Sequence, residues 1–373
     1  MNSTTFNYLK TSPMFQLSLA SKELFHSNFL FWIWQLNHEL FKTMMQKLTS
    51  DPTIGSDWPS DYILKREYNH YDLCVLGENN KVLLVIENKV KSIPTLKQLN
   101  EYFREGHRHV LLSLSSDFPE KEKIEQWEIV NYETLSKTLK ELSTHHAISP
   151  YHKSIIDDYS EMIHHLHQVQ LEWSIDANAD FFNSDNDCVI LRINDIKEKI
   201  RFSKMLVMLK KLLVNKLGIE PDLNTDRDYV FNTSGEIFIN WGMTRGMGLL
   251  EVKIPVAKNI ALLIQIQGDQ YRHAVELYGF KKNFEDNWND VLQDSKLNWF
   301  FRSDIIKNPF HLFSNSELPL AIWPKKGGCN HYGNQFLYQS IKIPANTKIS
   351  ELLDMIVTDC QKIKEVTGTS VAD

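Results

Sequence analysis

Apolar residues recur at helical spacing from Ser21 to about Leu48, at Phe25, Phe29, Ile33, Leu36, Leu40, Met44 and Leu48. The spacing predicts one long amphipathic helix, and the added aromatics Phe31, Trp32 and Trp34 predict burial on more than one side. Residues 51–61 hold two prolines and a glycine and read as a loop. The pattern then changes to short apolar runs. Tyr62–Tyr68, Tyr71–Leu76 and Lys81–Asn88 read as strands joined by hairpin connections, Asn69-His70 and Gly77-Glu78-Asn79-Asn80. Pro94 is expected to open a helix reaching about Arg104. His109–Leu114 and Trp127–Val130 read as further strands, with a short helix near Glu120 between them. Helices follow over Glu133–Leu142 and Tyr151–Gln170.

The polar stretch from Asp176 to Asp187 reads as a boundary. Beyond it the expected order is a helix at Ile196–Leu217, strands at Tyr229–Asn232, Glu236–Trp241, Gly248–Ile254, Ile260–Gln267 and Phe336–Ile343, and a helix at Ser350–Val366. The fold class expected is α/β over residues 1–172, a mixed sheet flanked by helices. A β-rich α+β domain over 173–373 is assigned to substrate binding or self-association, which leaves a homo-oligomer open.

Composition narrows the function. The chain has 373 residues, 42% hydrophobic and 24% charged, as a globular protein does. A net charge of −6 disfavours a protein that coats nucleic acid, while local basic patches can still steer a phosphate backbone. No apolar run is long enough to cross a bilayer, and no basic start precedes an apolar stretch, so neither membrane nor signal peptide is expected. Cys74, Cys188, Cys329 and Cys360 lie far apart, against a disulfide framework or zinc knuckle. A cytoplasmic location is the expectation.

The chemistry concentrates in Tyr71-Asp72-Leu73 and Val85-Ile86-Glu87-Asn88-Lys89. Strand alternation points Glu87 and Lys89 one way and Asn88 the other, and the hairpin partner brings Asp72. Two carboxylates and a lysine beside a sheet suit a divalent cation, Mg²⁺ or Mn²⁺, next to an ammonium. The competing reading is two exposed acids at strand ends, with Lys89 snorkelling at the surface.

This pattern resembles the PD-(D/E)XK nuclease superfamily, the restriction-endonuclease-like fold, with Tyr71 where the motif name has proline. The resemblance extends to Glu23-Leu24-Phe25-His26-Ser27-Asn28, to Arg66-Glu67, to Gln98 and Tyr102, and to Trp127 and Tyr132. It covers roughly Ser21–Leu142; beyond that it is limited to a β-rich stretch around Gln267-Gly268 and Tyr271-Arg272. The resemblance implies a metal-dependent nuclease acting on DNA, with an association to defence against foreign DNA. It implies Asp72 and Glu87 as metal ligands, with the backbone carbonyl of Asn88 a natural third. Lys89 would orient or help deprotonate water. It further implies that Glu23 reaches the ion and that Gln98 supports the site. Glu23 equally fits an acid complementing a helix dipole, and Gln98 a solvated amide. The other function class is a non-catalytic module that keeps the fold to bind nucleic acid or protein.

Arg66, on the strand before Asp72, is a candidate for contacting phosphate or locking a carboxylate. The helix at Ile196–Leu217 sets Arg201, Lys204, Lys210 and Lys211 against an apolar face of Phe202, Leu206, Leu209 and Leu213, which suits phosphate contact or a plain solvated face. His145, His146, His152, His164, His165 and His167 lack a ligand register and read as a solvated helix face. Trp288, Trp299, Phe300, Phe301 and Trp323 read as core rather than a base-stacking platform.

Overall fold

The strands of the first half pair into one mixed sheet in the order β1–β2–β3–β4–β5: Ile63–Tyr68, Tyr71–Leu76, Val82–Lys89, Arg108–Ser113 and Glu128–Asn131. β1, β2 and β3 are antiparallel neighbours, while β3, β4 and β5 run parallel. Asn69 and His70 both take positive φ, 52° and 72°, as a two-residue hairpin between twisted strands requires. The computed structural model describes residues 1–373 except 19–21, 116, 174, 183–184, 234, 302–329 and 369–373. Ser21, Trp323 and Cys329 therefore lie outside the described residues.

Alternation gives the sheet two apolar faces. Leu73, Val75, Leu84, Ile86, Val110 and Leu112 join the main core with the helices. Cys74, Leu76, Val85 and Leu111 face a smaller core with Leu99 and Trp127. The single long helix expected first is two, Glu23–Leu36 and His38–Leu48. Asn37 breaks it with an extended backbone (φ −163°, ψ 115°), and its side chain accepts the Leu40 N–H at 3.0 Å. Pro94 does not start the next helix: Thr95 caps Leu96–Tyr102 by accepting the Gln98 N–H. The long helix Pro150–Glu172 also departs from expectation, because His165 and His167 are buried. His165 stacks at 4.3 Å on Tyr8, from a helix at Ser3–Thr11 that the apolar spacing did not reveal.

The chain divides into two units, Met1–Ser174 with Asp185–Arg201, and Ile175–Ser184 with Phe202–Asp373. Residues 185–201 return to the first unit because Cys188, Leu191, Ile193, Ile196 and Ile200 bury in its core. A boundary at 172/173 misses this return.

The second unit holds a six-stranded antiparallel sheet in the order β10–β11–β9–β8–β7–β6. The strands are β6 Phe238–Thr244, β7 Met247–Ala257, β8 Ile260–Gln267, β9 Gln270–Leu277, β10 Asn330–Tyr332 and β11 Phe336–Lys342. Tyr229–Asn232, expected as a strand, lies in the helix Arg227–Asn232, capped by Asp226 accepting the Tyr229 N–H at 3.0 Å. Phe202, Leu206, Leu209 and Leu213 form core, together with the closing helix Ile349–Thr367. Trp288, Phe300 and Phe301 are buried in the same core, with Trp299 packed against it. Gly248 admits this packing: a Cβ there would sit 2.1 Å from the Phe202 ring. Cys74, Cys188 and Cys360 are buried free thiols. Among the described residues no helix is long and apolar enough to cross a membrane.

Candidate active site

The β2–β3 register pairs Leu73 with Ile86, so Asp72 and Glu87 are the next positions toward the same sheet end. Asp72 Oδ2 accepts the Asn88 N–H at 2.7 Å. Lys89 Nζ lies 2.8 Å from Glu87 Oε1, as expected for residues sharing a strand face. Gln98 Nε2 donates to the same oxygen at 3.2 Å, because the Thr95 cap sets the start of its helix. Glu87 and Lys89 are only 3% and 7% exposed, and Glu87 Oε2 is buried without a hydrogen-bond partner.

Glu23 is the first residue of its helix and closes the site from the other side. Its Oε1 accepts the N–H groups of Val90, Lys91 and Ser92 at 3.2, 3.1 and 2.8 Å, and the Ser92 hydroxyl. These bonds fix the chain leaving β3. Glu23 thus positions the strand end, and its charge also reaches Asp72, Glu87 and Lys89.

Three shifted groups define the electrostatics. Burial, with the Glu87 charge behind it, pushes the Asp72 carboxyl up to about 7. Burial also raises Glu87, against the pull of Lys89. For Lys89, burial alone would favour the neutral amine, but Glu87, Glu23 and Asp72 together outweigh it and raise its pKa. Lys89 is a charged donor at neutral pH.

Beneath this face lies a polar layer that motif reading did not assign. Asn88 points to the opposite side, where its Oδ1 accepts from the Tyr132 hydroxyl and its Nδ2 meets Glu23 O at 3.3 Å and Ser27 Oγ at 3.4 Å. His26 Nδ1 lies 2.9 Å from the Tyr159 hydroxyl, and complete burial lowers the imidazole to about 3, so it is neutral. The available signal was alternation itself: Asn88 faces away from Glu87, toward the helices carrying Ser27 and Tyr132. Tyr132→Phe strands the buried Asn88 oxygen and is expected to cost about 1–3 kcal/mol. Urea denaturation reads this, and an unchanged midpoint at constant slope would show that the Tyr132–Asn88 hydrogen bond does not stabilise the fold.

The nucleic-acid candidates divide. Arg66 is exposed, donates to Asn28 Oδ1 and lies over the Phe31 ring at 4.5 Å, in an open groove also lined by Leu24 and Lys65. No carboxylate among the described residues pairs with it. Arg201 is buried and ion-paired to Glu198 at 3.1 Å, which corrects its placement in a basic exterior. It lies four residues before buried Met205 and so falls on the apolar stripe. Lys210 is paired with Glu220 at 2.7 Å, Lys204 is partly buried and Lys211 is exposed. The helix Asn194–Leu217 therefore presents no continuous row of these four cations.

Among the described residues no group of three or more His, Cys, Asp and Glu side chains is arranged to hold a metal ion. Within the narrower donor set Glu87 Oε2 is orphaned, beside an Asp72 carboxyl whose ionisation burial and Glu87 oppose. No protein-family model matches the chain, and no curated protein or solved structure matches it either.

Proposed function

We propose that the first unit is a divalent-metal-dependent phosphodiesterase with a restriction-endonuclease-like core, a nuclease acting on DNA. The observation that carries this is the convergence of Asp72, Glu87 and Lys89 at one sheet end, with Glu87 Oε2 lacking a partner. Mg²⁺ or Mn²⁺, held by Asp72 and Glu87 with the Asn88 carbonyl and the second Glu23 oxygen as further candidates, would supply an activated water and offset phosphoryl charge.

Hydrolysis forms one bond from water oxygen to phosphorus and breaks one ester P–O bond; the water loses a proton and the leaving oxygen gains one. Lys89, charged, donates to oxygen and stabilises negative charge growing on the phosphoryl group, rather than taking the water's proton. Gln98 holds Glu87, and Glu23 and Asn88 hold the strand end that carries Glu87 and Lys89. Arg66, which pairs with no carboxylate among the described residues although Glu67 lines the same groove, is suited to a backbone phosphate.

A non-catalytic binding module draws support from one feature: the Lys89–Glu87 pair neutralises itself without an ion. Metal dependence separates the two readings. Mg²⁺ and Mn²⁺ are expected to support cleavage of labelled DNA, and Ca²⁺ to allow binding with little turnover. Full activity in excess EDTA, or a requirement for zinc, would contradict the proposal. Binding without cleavage of any DNA in any of these ions favours the module.

A further inference from the structure

On one face of the six-stranded sheet Glu276 pairs with two cations, whereas a half-buried arginine on the same face has no such pair among the described residues. Lys253 Nζ lies 2.6 Å from Glu276 Oε2, and Arg227 Nη2 lies 3.0 Å from Glu276 Oε1. Arg272 shares that face, since it stands opposite Gln265 on β8, which stands opposite Glu251 on β7. Arg272 is half-buried, yet no carboxylate among the described residues pairs with it. Neutral groups hold it instead. Its Nε and Nη2 donate to Gln270 Oε1 at 2.9 and 2.7 Å, Nη1 donates to Gln267 Oε1, and the guanidinium lies 4.5 Å from the Tyr338 ring centroid.

Two further groups surround it. Arg245, at the β6–β7 hairpin tip, lies over the Tyr332 ring at 5.7 Å, also without a carboxylate partner, and its charge reaches Arg272. Ser340, directly opposite Arg272 on β11, is 3% exposed, and its hydroxyl makes no hydrogen bond among the described residues. Asp269, whose charge also reaches Arg272, is paired with Lys342 at 3.7 Å.

Ordering two arginines near each other, one of them half-buried, with no carboxylate among the described residues paired to either and only the Lys342-paired Asp269 in reach, is unfavourable unless further counter-charge arrives with a ligand. The two glutamines occupy three of the five guanidinium N–H groups and leave one on each terminal nitrogen. A fixed guanidinium with N–H groups to spare and a hydroxyl opposite is a fork for a tetrahedral oxyanion.

We propose that Arg272, with Arg245 and Ser340, forms a phosphate-binding site in the second unit, for the phosphate of a nucleic-acid strand or of a free nucleotide. The site uses no residue of the candidate active site and does not depend on that reading.

The test uses the full chain in EDTA, so that cleavage cannot intervene. Inorganic phosphate, a mononucleotide and a short fluorescent single-stranded DNA are titrated into wild type, Arg272→Gln and Arg245→Gln at several salt concentrations. Arg272→Gln is expected to weaken binding about tenfold or more. For the strand, the slope of log K against log salt should fall by about 0.7 for the lost contact. Dependence on Arg272 seen with the strand alone supports the site and assigns a strand; dependence shared by all three probes supports it and assigns a free nucleotide. Circular dichroism checks the fold, and Arg245→Gln, at an exposed tip, keeps the test open if Arg272→Gln does not fold. Unchanged affinity of the folded variants for every probe, or no binding by wild type, overturns the proposal.

Discussion

Lys89→Ala is expected to slow single-turnover cleavage of DNA by about 100-fold or more, the scale of removing one placed electrostatic donor from a water-poor site. Lys89 is nearly buried and 2.8 Å from Glu87 Oε1, and three carboxylates keep it charged. Such a group acts on charge that develops during reaction, so turnover should fall while affinity for DNA in Ca²⁺ changes little. Arginine at 89 should restore only part of the rate, because its fork needs space that a buried lysine position does not have. Glu87 loses its counter-charge in the alanine variant, so circular dichroism must accompany the kinetics. Cleavage by Lys89→Ala at the wild-type rate would remove Lys89 from the chemistry.

Asp72→Asn is expected to stabilise the metal-free protein at alkaline pH while abolishing cleavage. The folded carboxyl titrates at about 7, against an ordinary value of 3.8. Between those values the folded state holds a proton that the unfolded state has released, so stability falls as pH rises through the window. The contribution is complete below about pH 4 and lost above about pH 7, a fall of roughly 4 kcal/mol. Asparagine has no charge to bury and keeps an oxygen for the Asn88 N–H. In EDTA the variant should therefore melt well above wild type at pH 8 and level with it at pH 4. Comparing variant with wild type cancels titrating groups that Asp72 does not reach, including His26, whose lowered pKa acts in the opposite sense at acid pH, while Glu87 and Lys89 are coupled to Asp72 and shift with it. A variant less stable than wild type at pH 8 would contradict the burial of an ionised Asp72.

What the sequence made legible follows from how local each signal is. The β1–β2–β3 hairpins were readable because apolar alternation and two short Asn-containing turns agree. Placing Glu87 and Lys89 on one face needed only the two-residue period of a strand, and the 2.8 Å contact follows. The break at Asn37 was hidden because the apolar stripe continues across it, while the capping side chain acts on only one N–H. Arg227–Asn232 misled because Tyr, Val and Phe favour strands, whereas the decisive residue, Asp226, lies just outside the run. Arg201 misled because charge suggested exposure, and the stripe through Met205 was not weighed against it. The Tyr132–Asn88 and His26–Tyr159 contacts join residues 44 and 133 positions apart, which no local period encodes.

The central claim is that Asp72 and Glu87 together hold a hard divalent cation. The most direct measurement is anomalous diffraction from crystals of wild type and of Asp72→Asn soaked in Mn²⁺. The account predicts a manganese peak within ligand distance of both carboxyl groups in wild type and its loss or marked weakening in the variant. No peak near Asp72 and Glu87 in wild-type crystals, or an equal peak in the variant, would contradict it.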